Sequence, residues 1–206
     1  MKVAVVAEFY PSRRDPVLGV WAHRQALAAR DAGAEVRVLV LHRLVPPLAA
    51  LREGPDAVVR ELGARVREPR GQTLDGLGVS YVSYVSPPRS RAYASWGAWA
   101  APALGLALRR LRHTFGFELV HAHNAVPAGD AVRRGRVDVP LVVSVHGGDV
   151  LHTAAPPPRG SAAGVAAVAR GLGAAQLTLA NSQGIAELCR THGAGDVRVV
   201  HLGADL

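Results

Sequence analysis

Short runs of β-branched and aliphatic residues recur along the chain, at Val3–Ala7, Glu35–Leu41, Val79–Tyr84, Leu119–His121, Leu141–Val145, Leu177–Ala180 and Val197–His201. Several are continuously apolar instead of alternating, the pattern of strands covered on both faces. Helical spacing fills the intervals. Val20–Ala32 carries alanine and other apolar residues at helical spacing and stops at Gly33, a natural helix terminator. Ser95–His113 places Arg109, Arg110 and Arg112 in its last turn, where the helix dipole favours cations. Ser182 is a good cap for a helix running to about His192. Alternation of this kind predicts an α/β fold: a doubly wound, mainly parallel, Rossmann-like sheet with helices on both faces.

The stretch from Arg43 to Gly78 fits the rhythm least. It is far longer than a usual connection, which predicts one or two helices near Leu48–Glu53 and Ala57–Leu62, or a surface element. Pro156–Pro158 followed by Arg159 and Gly160 predicts an irregular loop. No repeat and no polar linker interrupts the pattern, so residues 1–206 are expected to form one domain.

Composition narrows the class. An apolar fraction of 49% supports a well-buried core, and with 5% aromatics that core must be aliphatic and alanine-rich. The one cysteine, Cys189, excludes an intrachain disulfide framework and a zinc knuckle and points to a reducing compartment. The apolar run after Met1 is shorter than the roughly 7–15 residues of a secretion signal. The stretch Trp96–Leu108 falls well short of the roughly 20 residues that span a bilayer. A cytoplasmic protein is expected. The formal charge is +8, and Lys2 is the sole lysine. Such a surface attracts phosphate-bearing ligands or anionic lipid, or reflects an arginine-rich base composition. Nucleic acid is disfavoured, because the arginines are dispersed without interleaved aromatic residues.

In open α/β sheets ligands bind at the carboxyl ends of the strands. The residues following the apolar runs are Glu8–Pro11, His121-Ala122-His123-Asn124, His146-Gly147-Gly148-Asp149 and Asn181-Ser182, so polar and glycine residues gather at one edge. A nicotinamide site is disfavoured, since no glycine precedes Gly19 after the first strand. A Walker lysine is excluded with Lys2 the only lysine. A metal-dependent hydrolase stands as an alternative, with His121, His123, His146, Asp149 and His152 supplying ligand types at neighbouring strand ends. Against it, His121 is equally a sheet residue bonded to a neighbouring backbone group.

Four segments together carry a resemblance. They are Phe9-Tyr10-Pro11-Ser12 with Pro16–Trp21 and the helix bearing His23, Arg24, Gln25 and Leu27; Ala32–Val38; Leu119–His123 with Val139–Asp149; and Ala180-Asn181-Ser182 with Val197–Asp205. In order and spacing the chain resembles the N-terminal, acceptor-side domain of the retaining GT-B glycosyltransferases, in particular family 4. The resemblance spans nearly the whole sequence and implies transfer of a sugar, of hexosyltransferase type, from a nucleoside-diphosphate donor to an acceptor hydroxyl with retained configuration. It implies no cofactor beyond the nucleotide-sugar co-substrate and no metal. It also implies a separate C-terminal nucleotide-sugar domain, absent from this chain, so that the chain alone is inactive. A carbohydrate, lipid-linked or small-molecule acceptor is implied, with peripheral contact at the inner face of a bacterial membrane if that acceptor is lipid-linked.

By the same resemblance His146 lines the reaction centre and Gly19 opens a helix toward the donor diphosphate. Leu18 stands where the family often has a first glycine, and Leu202 where it commonly has asparagine. Gly147, Gly148, Asp149, His123 and Asn124 are the candidate acceptor or sugar contacts, although Asp149 is equally suited to capping a turn. Helix Ser95–His113 and the Arg43–Gly78 segment are candidates for contacting the acceptor. A non-catalytic sugar or lipid binding module remains a further alternative.

Overall fold

The computed structural model describes residues 1–12, 15–45, 48–66, 70–153 and 160–203. Eight strands, β1 (Lys2–Ala7), β2 (Glu35–Arg43), β3 (Gly71–Leu74), β4 (Leu77–Tyr84), β5 (Leu119–His123), β6 (Leu141–Val145), β7 (Leu177–Ala180) and β8 (Val197–Val199), form one sheet. Their order is β3-β4-β2-β1-β5-β6-β7-β8, parallel throughout except for the β3–β4 pair. From β1 the chain winds outward to β2 and β4, then crosses back through α5 (Trp96–Phe115) to β5 on the other flank. The junction of β1 and β5 is therefore the point where the winding reverses, and the carboxyl ends of the strands open a crevice there.

Continuous apolarity in β1 has a direct cause. Ala4 and Val6 join one core, with Trp96, Leu104 and Leu108 of α5, Ala131 of α6 (Asp130–Gly135) and Ala167 of α8 (Ala162–Gly173). Val3, Val5 and Ala7 join the opposite core with Ala22 and Ala26 of α1 (Val20–Asp31). Small residues set the helix spacing on the first face: a Cβ on Gly97 of α5 would lie 2.4 Å from an Asp130 carboxylate oxygen. Asp130 is fully buried and is neutralised by Arg133 at 2.9 Å and Arg134 at 2.7 Å.

All seven predicted strands are present, several with shifted ends, and one further strand joins them. The eighth strand, β3, was not foreseen. It pairs with β4 across Asp75 and Gly76, whose φ values of 47° and 80° make a tight two-residue hairpin. Its residues alternate between exposed and half-buried, so no apolar run marks it. β5 continues past His121 to His123, and β8 ends at Val199, leaving His201 outside. In the long Arg43–Gly78 segment, α2 (Leu48–Glu53) falls as predicted, whereas α3 (Pro55–Val66) extends the predicted helix in both directions. Ser182 caps α9 (Gln183–Thr191) by accepting from the Ile185 N–H at 3.3 Å. The alanine- and glycine-rich α8, whose buried residues Gly164, Ala167, Val168, Gly171 and Leu172 fall at helical spacing, was not among the expected helices. The predicted Pro156–Pro158 loop, residues 204–206 and the side chain of His152 lie outside the described residues.

Candidate active site

At the β1–β5 junction the strand ends enclose a cleft of about 380 Å³. Glu8 and Phe9, just after β1, form one wall, and Trp21 on the first turn of α1 stands beside them. Asn124 follows β5, His146 follows β6, Gly148 and Asp149 open α7 (Gly148–Thr153), and Asn181 follows β7. The connection from β4 to α5 closes the cleft with Arg89 on the short helix α4 (Arg89–Ala92), Tyr93 and Trp96.

His146 is centred. Its ring lies 5.7 Å from that of Trp21, and its Nε2 meets Nδ1 of His123 at 3.0 Å. His123 is buried beneath it, and the two ring planes differ by only 4°. A third ring, His121, stands 4.6 Å from His123 and bonds the Ser144 hydroxyl at 2.8 Å. Ser144 donates in turn to Gln25 Oε1, which leaves its lone pairs for the His121 Nε2–H. Burial holds all three imidazoles neutral at pH 7: His121 and His146 are pushed down to about 4, and His123 well below the usual histidine range. With Nε2 engaged by His123, Nδ1 of His146 has no protein partner, and neither does Oδ1 of Asn181. A cleft lined by neutral polar side chains with unpartnered atoms is suited to an uncharged, hydroxyl-rich ligand.

The rim is held by specific contacts. The buried carboxylate of Asp149 accepts from the Ala125 backbone N–H at 2.5 Å and from the Tyr93 hydroxyl at 3.2 Å. Burial raises its pKa to about 6 despite those donors. One oxygen thus fixes the loop after β5, where Asn124 sits at φ 74°, a conformation rare outside glycine, and the other ties that loop to Tyr93 of the β4–α5 connection. Gly147 adopts φ 96° behind the rim, whereas a Cβ on Gly148 would meet nothing within 4 Å, so the backbone there is open to a ligand. Gly19 packs its Cα against the Phe9–Tyr10 backbone, where a Cβ would lie 2.2 Å from the Phe9 carbonyl. The N-terminus of α1 that it opens has no side-chain cap and no acidic residue in its first turn.

Gly19 and His146 therefore share one rim, joined through Trp21. Asn124, His146, Gly148 and Asp149 line the cleft, with His123 beneath and Gly147 behind. For the metal-ligand alternative, no group of three His, Cys, Asp or Glu side chains among the described residues is placed to hold an ion. Sequence reasoning placed Glu8 at the ligand-binding edge and Trp21 in the resemblance without giving either a role, and it did not name Arg89, Tyr93 or Trp96 as cleft residues. Glu8 carried a usable signal, a carboxylate directly after a buried strand. Its pKa is raised by burial to about 7, against the pull of the Arg89 guanidinium that pairs with it. Arg89 also lies over the rings of Phe9 and Trp96, at 4.7 and 4.5 Å from their centroids. Nothing in the local sequence marked the β4–α5 connection as part of the cleft.

The family model for Glycosyltransferase Family 4 matches residues 18–206. No curated protein sequence matches the chain. Among solved structures, sucrose-phosphate synthase from Thermosynechococcus elongatus is similar over 100% of this chain and 49% of its own, with a TM-score of 0.67 and 12% identity. A shorter structure of that synthase gives a TM-score of 0.60 at 12% identity, over 100% of this chain and 91% of the other. UGT89C1 of Arabidopsis thaliana, solved with UDP, gives 0.50 at 12% identity, over 100% of this chain and 50% of that one. This chain thus spans about half the length of the full synthase. At such identities the likeness is one of fold, a Rossmann-like half of the GT-B arrangement. Among the described residues no helix is long and apolar enough to cross a membrane.

Proposed function

The chain belongs to glycosyltransferase family 4, and from that membership together with the cleft we propose that it forms the acceptor-side wall of a retaining hexosyltransferase that uses a nucleoside-diphosphate sugar. The observation that carries the reading is the pair of unpartnered polar atoms, His146 Nδ1 and Asn181 Oδ1, in a cleft at the point where the sheet reverses its winding. The other wall, with the nucleotide-binding groups, would come from a second domain.

In this reading the neutral His146 bonds a hydroxyl of the transferred sugar. Either tautomer suffices, because a sugar hydroxyl both donates and accepts. His123 beneath it fixes the ring, as a bonded partner does for a catalytic imidazole. The N-terminus of α1 faces the departing diphosphate with the positive end of its helix dipole, which stabilises charge developing as the glycosidic bond to phosphate breaks. Gly148 gives the sugar close approach. Asp149 acts as a positioning residue, holding Asn124 and Ala125 in place. Phe9, Trp21 and Trp96 supply apolar surface that excludes water when two domains close.

The test joins this chain to its nucleotide-binding domain and compares His146→Ala with the parent enzyme. Turnover is expected to fall at least about tenfold, roughly 1.4 kcal/mol of transition-state stabilisation, with an unchanged thermal midpoint. Parental turnover in that variant removes His146 from the site. The isolated chain is expected to fold and to show no nucleotide-sugar turnover.

A further inference from the structure

A second groove, of about 390 Å³, lies along the outer flank of the sheet. β3 pairs with β4 only as far as Ser80, and beyond that register the last turn of α3 and Arg70 flank the stretch Tyr81–Ser83, in which Val82 packs inward and Ser83 is exposed. The Arg70 carbonyl accepts from the Tyr81 N–H at 2.9 Å, which pins that arginine to the edge. The opposite bank is α5, through Leu106 and Arg110.

The polar lining is cationic. Arg65, Arg70 and Arg110 converge with His42, and no carboxylate lines the groove among the described residues. No described acceptor meets the guanidinium groups of those three arginines, and Nε of Arg65 is buried without a hydrogen-bond partner. Three like charges brought together repel, and a buried N–H without an acceptor is costly, so an anion fits the arrangement on both counts. Guanidinium forks match tetrahedral oxyanions in pairs of parallel bonds, which makes phosphate the fitting chemistry. Val66 and Leu106 border the same groove and are 59% and 44% exposed, so the anion it suits is one with an apolar neighbour. α5 also ties the groove to the cleft. At 1.5 Å per residue, the helix places Ala103 about 10 Å and Arg110 about 21 Å from Trp96 along its axis.

We propose that this groove is a phosphoryl-binding site, in which Arg65, Arg70 and Arg110 hold a phosphate or diphosphate group belonging to the acceptor side of the enzyme. Phosphate binding stands on the groove itself; assigning the phosphate to the acceptor rests on the reading of the cleft given above. A soluble sugar phosphate and a phospholipid headgroup present the same group.

The chain, titrated with inorganic pyrophosphate and followed by amide NMR, is expected to shift His42, Tyr81, Ala103 and Arg110. The double variant Arg65→Gln/Arg110→Gln is expected to weaken binding at least about tenfold, while Arg109→Gln, outside the groove, leaves it unchanged. Absent shifts, shifts confined to α1 and the cleft, or undiminished affinity in the double variant overturn the proposal. Phosphatidylcholine vesicles doped with phosphatidic acid separate the sources. Sedimentation with them that is lost in the double variant and competed by pyrophosphate assigns a lipid headgroup; pyrophosphate binding without sedimentation assigns a soluble phosphate; neither overturns the site. The outcomes separate from those of the cleft. A transferase that loses turnover with His146→Ala but binds pyrophosphate equally with and without Arg65 and Arg110 keeps its cleft and loses this groove.

Discussion

Replacing Gly19 with alanine separates two costs that glycine conceals. Gly19 stands at φ 75° and Gly33 at φ 91°, so an added Cβ brings comparable backbone strain at either place, about 1–2 kcal/mol for a left-handed residue. Their surroundings differ. At Gly33 a Cβ meets nothing within 4 Å, whereas at Gly19 it would lie 2.2 Å from both the carbonyl carbon and oxygen of Phe9 and 2.5 Å from the Tyr10 nitrogen. Those atoms are backbone and cannot rotate aside, so the segment after β1 must shift, at a further cost of about 1–3 kcal/mol by comparison with overpacked cores. Gly33→Ala is then expected to lose about 1–2 kcal/mol and Gly19→Ala about 2–5 kcal/mol. For a domain of this size the difference lowers the thermal midpoint of Gly19→Ala by roughly 2–12 °C relative to Gly33→Ala. Urea denaturation of both variants at one pH gives the comparison directly. Equal losses in the two would show that the Phe9–Tyr10 backbone does not pack against the start of α1, and the shared rim would lose its structural basis.

Acidification is expected to destabilise the fold between about pH 6.5 and 4. The three imidazoles have native pKa values depressed by burial, so the unfolded chain takes up protons there that the native state refuses. Glu8 and Asp149, raised to about 7 and about 6, bind protons in the native state and partly offset that loss. Glu8→Gln removes one offset and should steepen the decline of urea midpoint with falling pH; an unaltered slope contradicts the burial of that carboxyl. Asp130→Ala strips the counter-charge from Arg133 and Arg134 and is expected to cost about 3–5 kcal/mol, measured by the same denaturation. A loss below about 1 kcal/mol would place Asp130 in solvent instead.

The class of fold was legible because burial on both faces imposes continuous apolar runs, and β1 and β6 obey that constraint. β3 escaped because an edge strand needs no apolar face; only its Asp75–Gly76 turn advertised it. α8 escaped for the opposite reason. Its buried face is built of alanine and glycine packed so closely that a Cβ on Gly171 would lie 2.6 Å from the Ala125 carbonyl oxygen, and small residues at Gly164, Ala167 and Gly171 read as turn or filler instead of core. Among site residues, those directly following a buried strand could be placed from topology alone, which covers Asn124, His146 and Gly148. Arg89, Tyr93 and Trp96 reach the cleft from a connection whose path depends on where α5 docks, and no local pattern encodes that docking.

The rim is rigid for reasons that reinforce one another. Asp149 spends both carboxylate oxygens on Tyr93 and the Ala125 N–H, and this holds Asn124 at a φ that an asparagine would not keep unaided. The same loop begins where β5 ends with His123, whose ring fixes that of His146. A single buried acid thus braces the backbone on one side of the cleft while a stack of neutral imidazoles braces the other. The brace costs protonation free energy at both, as the raised acid and lowered histidines record. A surface that needed only to be stable would have no use for such groups, since apolar side chains of similar size would pack there without desolvation. Their presence where the sheet reverses its winding is the physical reason to place the chemistry at this rim.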